Sequence, residues 1–358
     1  FILILLFILP ISNSFGAMMT HNQTATVSMS SGGIVAGVEF NSDGTKMFTS
    51  YAQPNDVRSG YYIQEYNLSK PYDISTRVYA GNSERCELTG TTTDNQYEIY
   101  DLEFSSDGMK FFTLQRNPGD DDADRDRVYG FDLTSPYDVS TCVLATLHEA
   151  LDDAALTNGS QAGDFSGQKR KHRVQALEIN DDGTKLFLTF MDANDNDVGG
   201  RLYEYNLSTP YDVSTLSLVL TAGIAVPKTT SGVDNPSGMK FSANGKRIFI
   251  VGHDSQRISQ ISLNKAYDTS SFNLDGGVSL VTGISQTNTQ PRGVTFSANG
   301  LKLYIGSDNN QGSNDHIMEY DLVCPFNIIE GKCPSITTGD RTGIAIAQIE
   351  VATRTMEH

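Results

Sequence analysis

Positive charge is scarce in this 358-residue chain: 26 lysines and arginines stand against 43 acidic residues, a formal net charge of -17. A surface of that sign repels phosphate backbones and anionic lipid, so nucleic acid is not an expected partner. Charged residues of both signs reach only 19%, below the roughly 25% of an average soluble domain. Gly, Tyr and Phe, with Ser, Thr and Asn, fill the space, a composition that suits strands and turns. Long apolar runs are also lacking. The run at residues 1–10 is half the roughly 20 residues that a membrane-crossing helix needs. With small residues at Ser14 and Gly16 it reads instead as a secretory signal over residues 1–16. No charged leader precedes Phe1, so more of the signal is expected ahead of it. No nucleophile elbow, phosphate loop or dinucleotide fingerprint occurs, which removes the common nucleophile and nucleotide readings.

Cysteine is limited to four residues, an even number that fits disulfides in an oxidising compartment. Cys324 and Cys333 are separated by eight residues that include Pro325, Asn327 and Gly331, and they are the expected pair. Cys86 and Cys142 pair only if the fold brings their strands together. None lies in a CxxC with a nearby histidine, so zinc is not expected.

What the sequence does have is internal repetition. Phe40-Asn41-Ser42-Asp43-Gly44-Thr45-Lys46 recurs at Phe104 to Lys110, Ile179 to Lys185, Phe241 to Lys246 and Phe296 to Lys302, with intervals of 64, 75, 62 and 55 residues between the Asp or Asn positions. Asp-Gly or Asn-Gly between apolar runs signals a strand, a tight turn and a strand, because such turns need a positive φ. A second motif follows, Glu65-Tyr66-Asn67-Leu68-Ser69-Lys70-Pro71-Tyr72-Asp73, with copies ending at Asp138 and Asp212 and degenerate copies at 260–268 and 319–326. It reads as a third strand and a turn, and a fourth β-rich stretch comes after it, at 76–80, 141–145, 216–220 and 278–281.

Four short antiparallel strands per period describe a propeller blade, and closing the ring removes exposed sheet edges. The expected fold is all-β: a β-propeller of four-stranded antiparallel blades over residues 17–326, with five blades. The fifth copy lacks an obvious last strand, and residues 24–29 are expected to supply it. A larger ring is the alternative if the 75-residue interval holds a diverged blade. Residues 327–358 are expected to hold a disulfide loop and a linker, or the start of a further region.

The Phe-Ser-x-Asp/Asn-Gly-x-Lys turn resembles the blades of exported, Tol-type and related bacterial propellers. The Tyr-Asn-Leu-Ser-Thr-Pro-Tyr-Asp segment resembles repeats of secreted microbial propellers. The likeness covers residues 24–326. Residues 343–356 resemble the linker ahead of the membrane barrel in some autotransporters. What these resemblances imply is a propeller exposed outside the cytoplasm, and they leave activity open, since such blades serve binding platforms and enzymes alike.

Candidate site residues follow from the loops joining second and third strands. Asp120, Asp122 and Asp124 in the second blade, and Asp192, Asn194, Asn196 and Asp197 in the third, offer the hard oxygens calcium prefers, although no Glu closes an EF-hand. The plainer reading of both loops is a solvated acidic surface. The basic run Lys169, Arg170, Lys171, His172 and Arg173 can meet a sulfated or carboxylated glycan, or pair with an acidic loop of the same chain. His253 and His316 are expected in corresponding loops of adjacent blades, as a metal or proton-transfer pair. The function expected is a secreted, periplasmic or surface-displayed binding module, calcium-stabilised and monomeric, whose partner is a protein or glycan at the cell surface. A membrane is involved only through an anchor C-terminal to residue 358. The alternative is a metal-dependent hydrolase or lactonase-like enzyme at the same loop face.

Overall fold

A computed structural model describes residues 18–28, 34–52, 62–88, 98–116, 127–148, 172–192, 198–219, 224–227, 235–280, 289–309 and 314–331. Strand β1 (Met19–Ser28) comes first and belongs to the last blade. Blade one holds β2 (Ile34–Phe40), β3 (Lys46–Ala52), β4 (Tyr62–Leu68), β5 (Arg77–Tyr79) and the short β6 (Cys86–Glu87). Blade two holds β7 (Glu98–Phe104), β8 (Lys110–Arg116), β9 (Arg127–Asp132) and β10 (Val143–His148). Blade three holds β11 (His172–Ile179), β12 (Lys185–Asp192), β13 (Val198–Leu207), β14 (Leu216–Leu218) and β15 (Ile224–Pro227). Blade four holds β16 (Pro236–Phe241), β17 (Arg247–Gly252), β18 (Arg257–Ser262) and β19 (Asn273–Ser279), and blade five holds β20 (Thr289–Phe296), β21 (Lys302–Asn309) and β22 (Asn314–Leu322).

The five sheets are antiparallel, and the expected latch is present: β1 pairs with β22, with Thr26 opposite His316, so blade five is completed by the N-terminal strand. The β-propeller therefore has five blades. The long interval separates adjacent blades, because blades two and three pack directly, Phe112 and Leu114 against Val174 and Leu177. Each seam between neighbouring blades carries its own apolar cluster, so the core is five wedges around the axis. One blade's strands bury alternate side chains toward each neighbour.

The two repeated motifs prove to be one structural unit. In each blade the turn glycine (44, 108, 183, 245 or 300) has φ between +65° and +73°. A Cβ there would lie 2.2–2.4 Å from the ring of Tyr72, Tyr137, Tyr211, Tyr267 or Phe326, and the backbone N–H of that same aromatic donates to the glycine carbonyl at 2.8–2.9 Å. The aromatic residue itself is left-handed, with φ between 48° and 60°. Such backbone costs about 1–3 kcal/mol unless neighbours fix it, and here the glycine beneath the ring does so. The Asp or Asn before the glycine acts by its side chain rather than by positive φ: Asp43 Oδ1 accepts from Thr45 N at 3.0 Å, and Asn299 Oδ1 from Leu301 N at 3.0 Å. The Asp after the tyrosine starts a one-turn 3-10 helix, as where Asp212 Oδ1 accepts from Ser214 N at 3.0 Å.

Two expectations are corrected. The fourth strand of blade four begins at Asn273 rather than 278, because Gly276 and Gly277 sit within the strand instead of ending it. The last strand of blade one and that of blade three are each broken in two: β4 pairs with both β5 and β6, and β13 with both β14 and β15. Cys86 on β6 is bonded to Cys142, the residue just before blade two's outer strand, so a disulfide joins the two blades. Cys324 is also disulfide-bonded, and Cys333, its expected partner, lies outside the described residues.

Candidate functional site

Two polar constellations stand out, one on the axis and one on the rim. The axial one is built by the residue just before each inner-strand aromatic or Ile179: Glu39, Glu103, Glu178, Lys240 and Thr295. Strand β16 aims Lys240 into the middle. Its Nζ lies 2.8 Å from Glu39 Oε1, 2.5 Å from Glu103 Oε2 and 3.5 Å from Glu178 Oε2. Thr295 Oγ1 donates to Glu39 Oε2 at 3.0 Å, and Phe241 N to Glu178 Oε1 at 3.1 Å. Burial pushes the Glu39 and Glu103 carboxyls up to about 8 and Glu178 up to about 7, with carboxyl neighbours adding and Lys240 opposing. Burial also works against the Lys240 charge, yet the three carboxylates together hold its pKa well above the ordinary lysine value. A cavity of about 280 Å³ opens above this ring on the face of the Asp-Gly turns. The ring's own ammonium fills the point where three carboxyl groups converge, and the raised carboxyl values keep part of that set protonated near neutral pH, which limits the excess negative charge around it.

The rim constellation lies where the ring closes. Because blade one's outer strand is broken, the pairing of β4 with β5 stops at Tyr66, opposite Tyr79, and its pairing with β6 resumes at Ile63, opposite Cys86. A cleft of about 550 Å³ opens there beside β1, lined by Thr26, Tyr62, Gln64, Arg77, Tyr79 and Arg85 among others. The Arg85 guanidinium stacks over the Tyr62 ring at 4.4 Å and pairs with Glu87 at 2.5 Å. Tyr66 OH donates to Gln64 Oε1 at 2.8 Å, and Tyr79 OH to Asn82 Oδ1 at 2.7 Å. Arg77 differs from the turn lysines of blades one, three and five. Its Nη1 donates to Ile74 O at 3.0 Å and its Nη2 to Thr26 O on the latch strand, both neutral carbonyls. Lys46, Lys185 and Lys302 instead pair with Glu65, Glu204 and Glu319.

Of the residues singled out in the sequence, Asp120, Asp122, Asp124, Asn194, Asn196, Asp197, Lys169, Arg170 and Lys171 lie outside the described residues. The register pairs His172 with Asp192, so the strand ends from which the basic and acidic runs extend are neighbours. The two histidines do not correspond. His253 follows β17 and bonds Asp254 at 2.5 Å, whereas His316 is inside β22, opposite Ser307 and Thr26, because that third strand runs longer than its sequence pattern indicates. His316 is buried, its ring nitrogens have no hydrogen-bond partner, and burial lowers its pKa. Among the described residues, no group of three or more His, Cys, Asp or Glu is placed to hold a metal, and no helix is long and apolar enough to cross a membrane.

The axial ring was legible as a column one residue upstream of each repeat's first position. Arg77 and Tyr79 were legible too: after the Asp-x-Ser-Thr/Ser turn, blades two to four carry Cys142, Leu216 and Phe272 where blade one has Arg77.

The chain's likeness to known proteins is one of fold. No family model and no curated sequence matches it. Among solved structures it is similar to a luciferin-regenerating enzyme at 10% identity and TM-score 0.43, over 84% of this chain and 96% of that one. It is similar to a candidate 6-phosphogluconolactonase of Bacteroides fragilis at 11% identity and TM-score 0.42, covering 80% of this chain and 66% of that one. A third is the periplasmic gluconolactonase of Pseudomonas aeruginosa, at 15% identity and TM-score 0.40, over 76% and 64%. The chain thus spans about two thirds of the length of the two lactonase-type structures, and the likeness is one of propeller architecture alone.

Proposed function

We propose that this propeller is a binding module working outside the cytoplasm, and that its ligand site is the closure-seam cleft of blade one. The observation that carries the reading is Arg77, a half-buried guanidinium in a cleft, hydrogen-bonded only to neutral carbonyls. Concave sites of about 300–1,000 Å³ with a few convergent polar groups are where small ligands bind, and this one adds exposed tyrosine. The disulfide between Cys86 and Cys142 and the apolar segment at residues 1–10 support an exported location. Calcium at the acidic loops belongs to the same proposal; it rests on their composition and predicts a higher melting temperature with millimolar calcium.

The test is a binding screen of oligosaccharides and peptides against the wild type and Tyr79→Ala. The module reading expects at least one binder that weakens about tenfold or more in the variant. Binders whose affinity ignores the cleft, or turnover of a lactone that ignores it, would place function elsewhere and favour the hydrolase alternative.

A further inference from the structure

We infer that the closure-seam cleft takes a short saccharide bearing one carboxylate, an inference that rests on the reading of the cleft as the ligand site. Charge comes first. Arginine has five N–H donors in a planar fork suited to a carboxylate, and Arg77 commits two of them, to the carbonyls of Ile74 and Thr26. Arg85, across the cleft, is already neutralised by Glu87. The site therefore offers a single uncompensated positive charge. A polyanion would meet the field of a chain with net charge -17, whereas a ligand with one carboxylate pays little of that repulsion and gains one bidentate partner.

The rest of the lining is neutral and of the kind that hydroxyl-rich rings require. Gln64, Asn82 and Thr26 supply amide and hydroxyl groups, and Tyr79, 38% exposed as a residue, presents an aromatic surface against which sugar C–H groups can lie. Tyr79 is held for that role, its hydroxyl bonded to Asn82 and its ring packed on Tyr66 at a centroid distance of 5.7 Å. Arg85 stacked on Tyr62 makes the opposite wall rigid, which lowers the entropy lost on binding. A volume of about 550 Å³ exceeds a single sugar ring and suits a short oligosaccharide.

None of this is general to the propeller. Blade three has the same broken outer strand, but Leu216 and Leu218 stand where blade one has Arg77 and Tyr79. The sequence has placed one cation and one aromatic in one blade, at the seam where β1 supplies the facing wall.

Calorimetry with four titrants tests the inference: cellobiouronic acid, its neutral analogue cellobiose, their unrelated carboxylate control acetate, and an acetylated Ser-Asp-Ser peptide. The acid should bind at least tenfold more tightly than cellobiose, acetate and the peptide. Arg77→Gln should erase the preference over cellobiose, and Arg77→Lys, which keeps the charge and guards against a folding defect, should retain part of it. Equal binding of the acid and cellobiose would overturn the inference and leave the cleft as a neutral-sugar site. Tighter binding of the peptide would overturn it in favour of a protein ligand. No binding of the acid would also overturn it, while a Tyr79-dependent binder from the wider screen would keep the module reading alive.

Discussion

The axis and the rim of this propeller gather charge in opposite ways. On the axis, Lys240 is met by Glu39, Glu103 and Glu178 from three other blades, and Glu39 and Glu178 accept further hydrogen bonds from Thr295 Oγ1 and Phe241 N. On the rim, Arg77 meets carbonyls and no carboxylate. Both sets arise from repeat positions that carry different residues in different blades, yet the first is closed upon itself and the second is left open. A buried ion cluster contributes more to fixing an arrangement than to net stability where its charges face one another. Here it ties four of five inner strands to one point, while the open charge is the one a ligand can complete.

The largest effect should come from opening the axial cluster. Lys240→Met leaves three buried carboxyls without their counter-ion and should destabilise the fold by about 3–5 kcal/mol, read by denaturant unfolding. Next is its pH dependence. The folded-state values of Glu39, Glu103 and Glu178 are raised from 4.5 to about 8, 8 and 7. Raised values mean that these groups stabilise most below about pH 4.5 and lose that contribution as pH climbs through 7 to 8. The melting temperature should therefore fall between pH 5 and pH 9, and Glu103→Gln should flatten the fall. A flat wild-type profile would mean that the cluster is not buried as described.

Removing the Cys86–Cys142 bond by paired alanine substitution should cost about 2–4 kcal/mol, since it closes a long loop between blades. It should also loosen the cleft wall, where Asn82 and Arg85 sit a few residues before Cys86. Smaller again is Gly183→Ala, which combines positive φ with a clash against the Tyr211 ring and should cost about 1–3 kcal/mol. Least of all, Arg77→Gln should change stability by less than about 1 kcal/mol, because it loses hydrogen bonds to two carbonyls and no ion pair. That last contrast with Lys240→Met is the sharpest form of the comparison: equal loss of a positive charge, unequal loss of stability.

The architecture was readable because its signals are local and repeated. Asp43-Gly44, Asp107-Gly108, Asp182-Gly183, Asn244-Gly245 and Asn299-Gly300 mark five hairpins, and the unmatched strand near Thr24 marks the latch. The pairing of Gly44 with Tyr72 across 28 residues was not readable, since it needs the chain to fold back before the two motifs meet. The axial column can be read from the repeats, but its convergence into a ring cannot, for a related reason. Its members are 55 to 75 residues apart and unlike in type, so Lys240 among glutamates looks like a surface residue until the strands converge on one axis. The cleft depends on a strand break and on the approach of Thr26 to Arg77, both consequences of closure. The position of His316 is not readable either, because the alternation of its strand is clear only from Ile317 onward while the strand begins at Asn314.

The central claim is that the open charge on the rim, and not the closed cluster on the axis, receives the ligand. Soaking crystals of the protein with cellobiouronic acid and computing the difference density decides between them most directly. The account predicts a sugar between Tyr62 and Tyr79 with its carboxylate on the Arg77 guanidinium. Density seated in the axial cavity above Lys240, with the seam cleft holding only solvent, would contradict it.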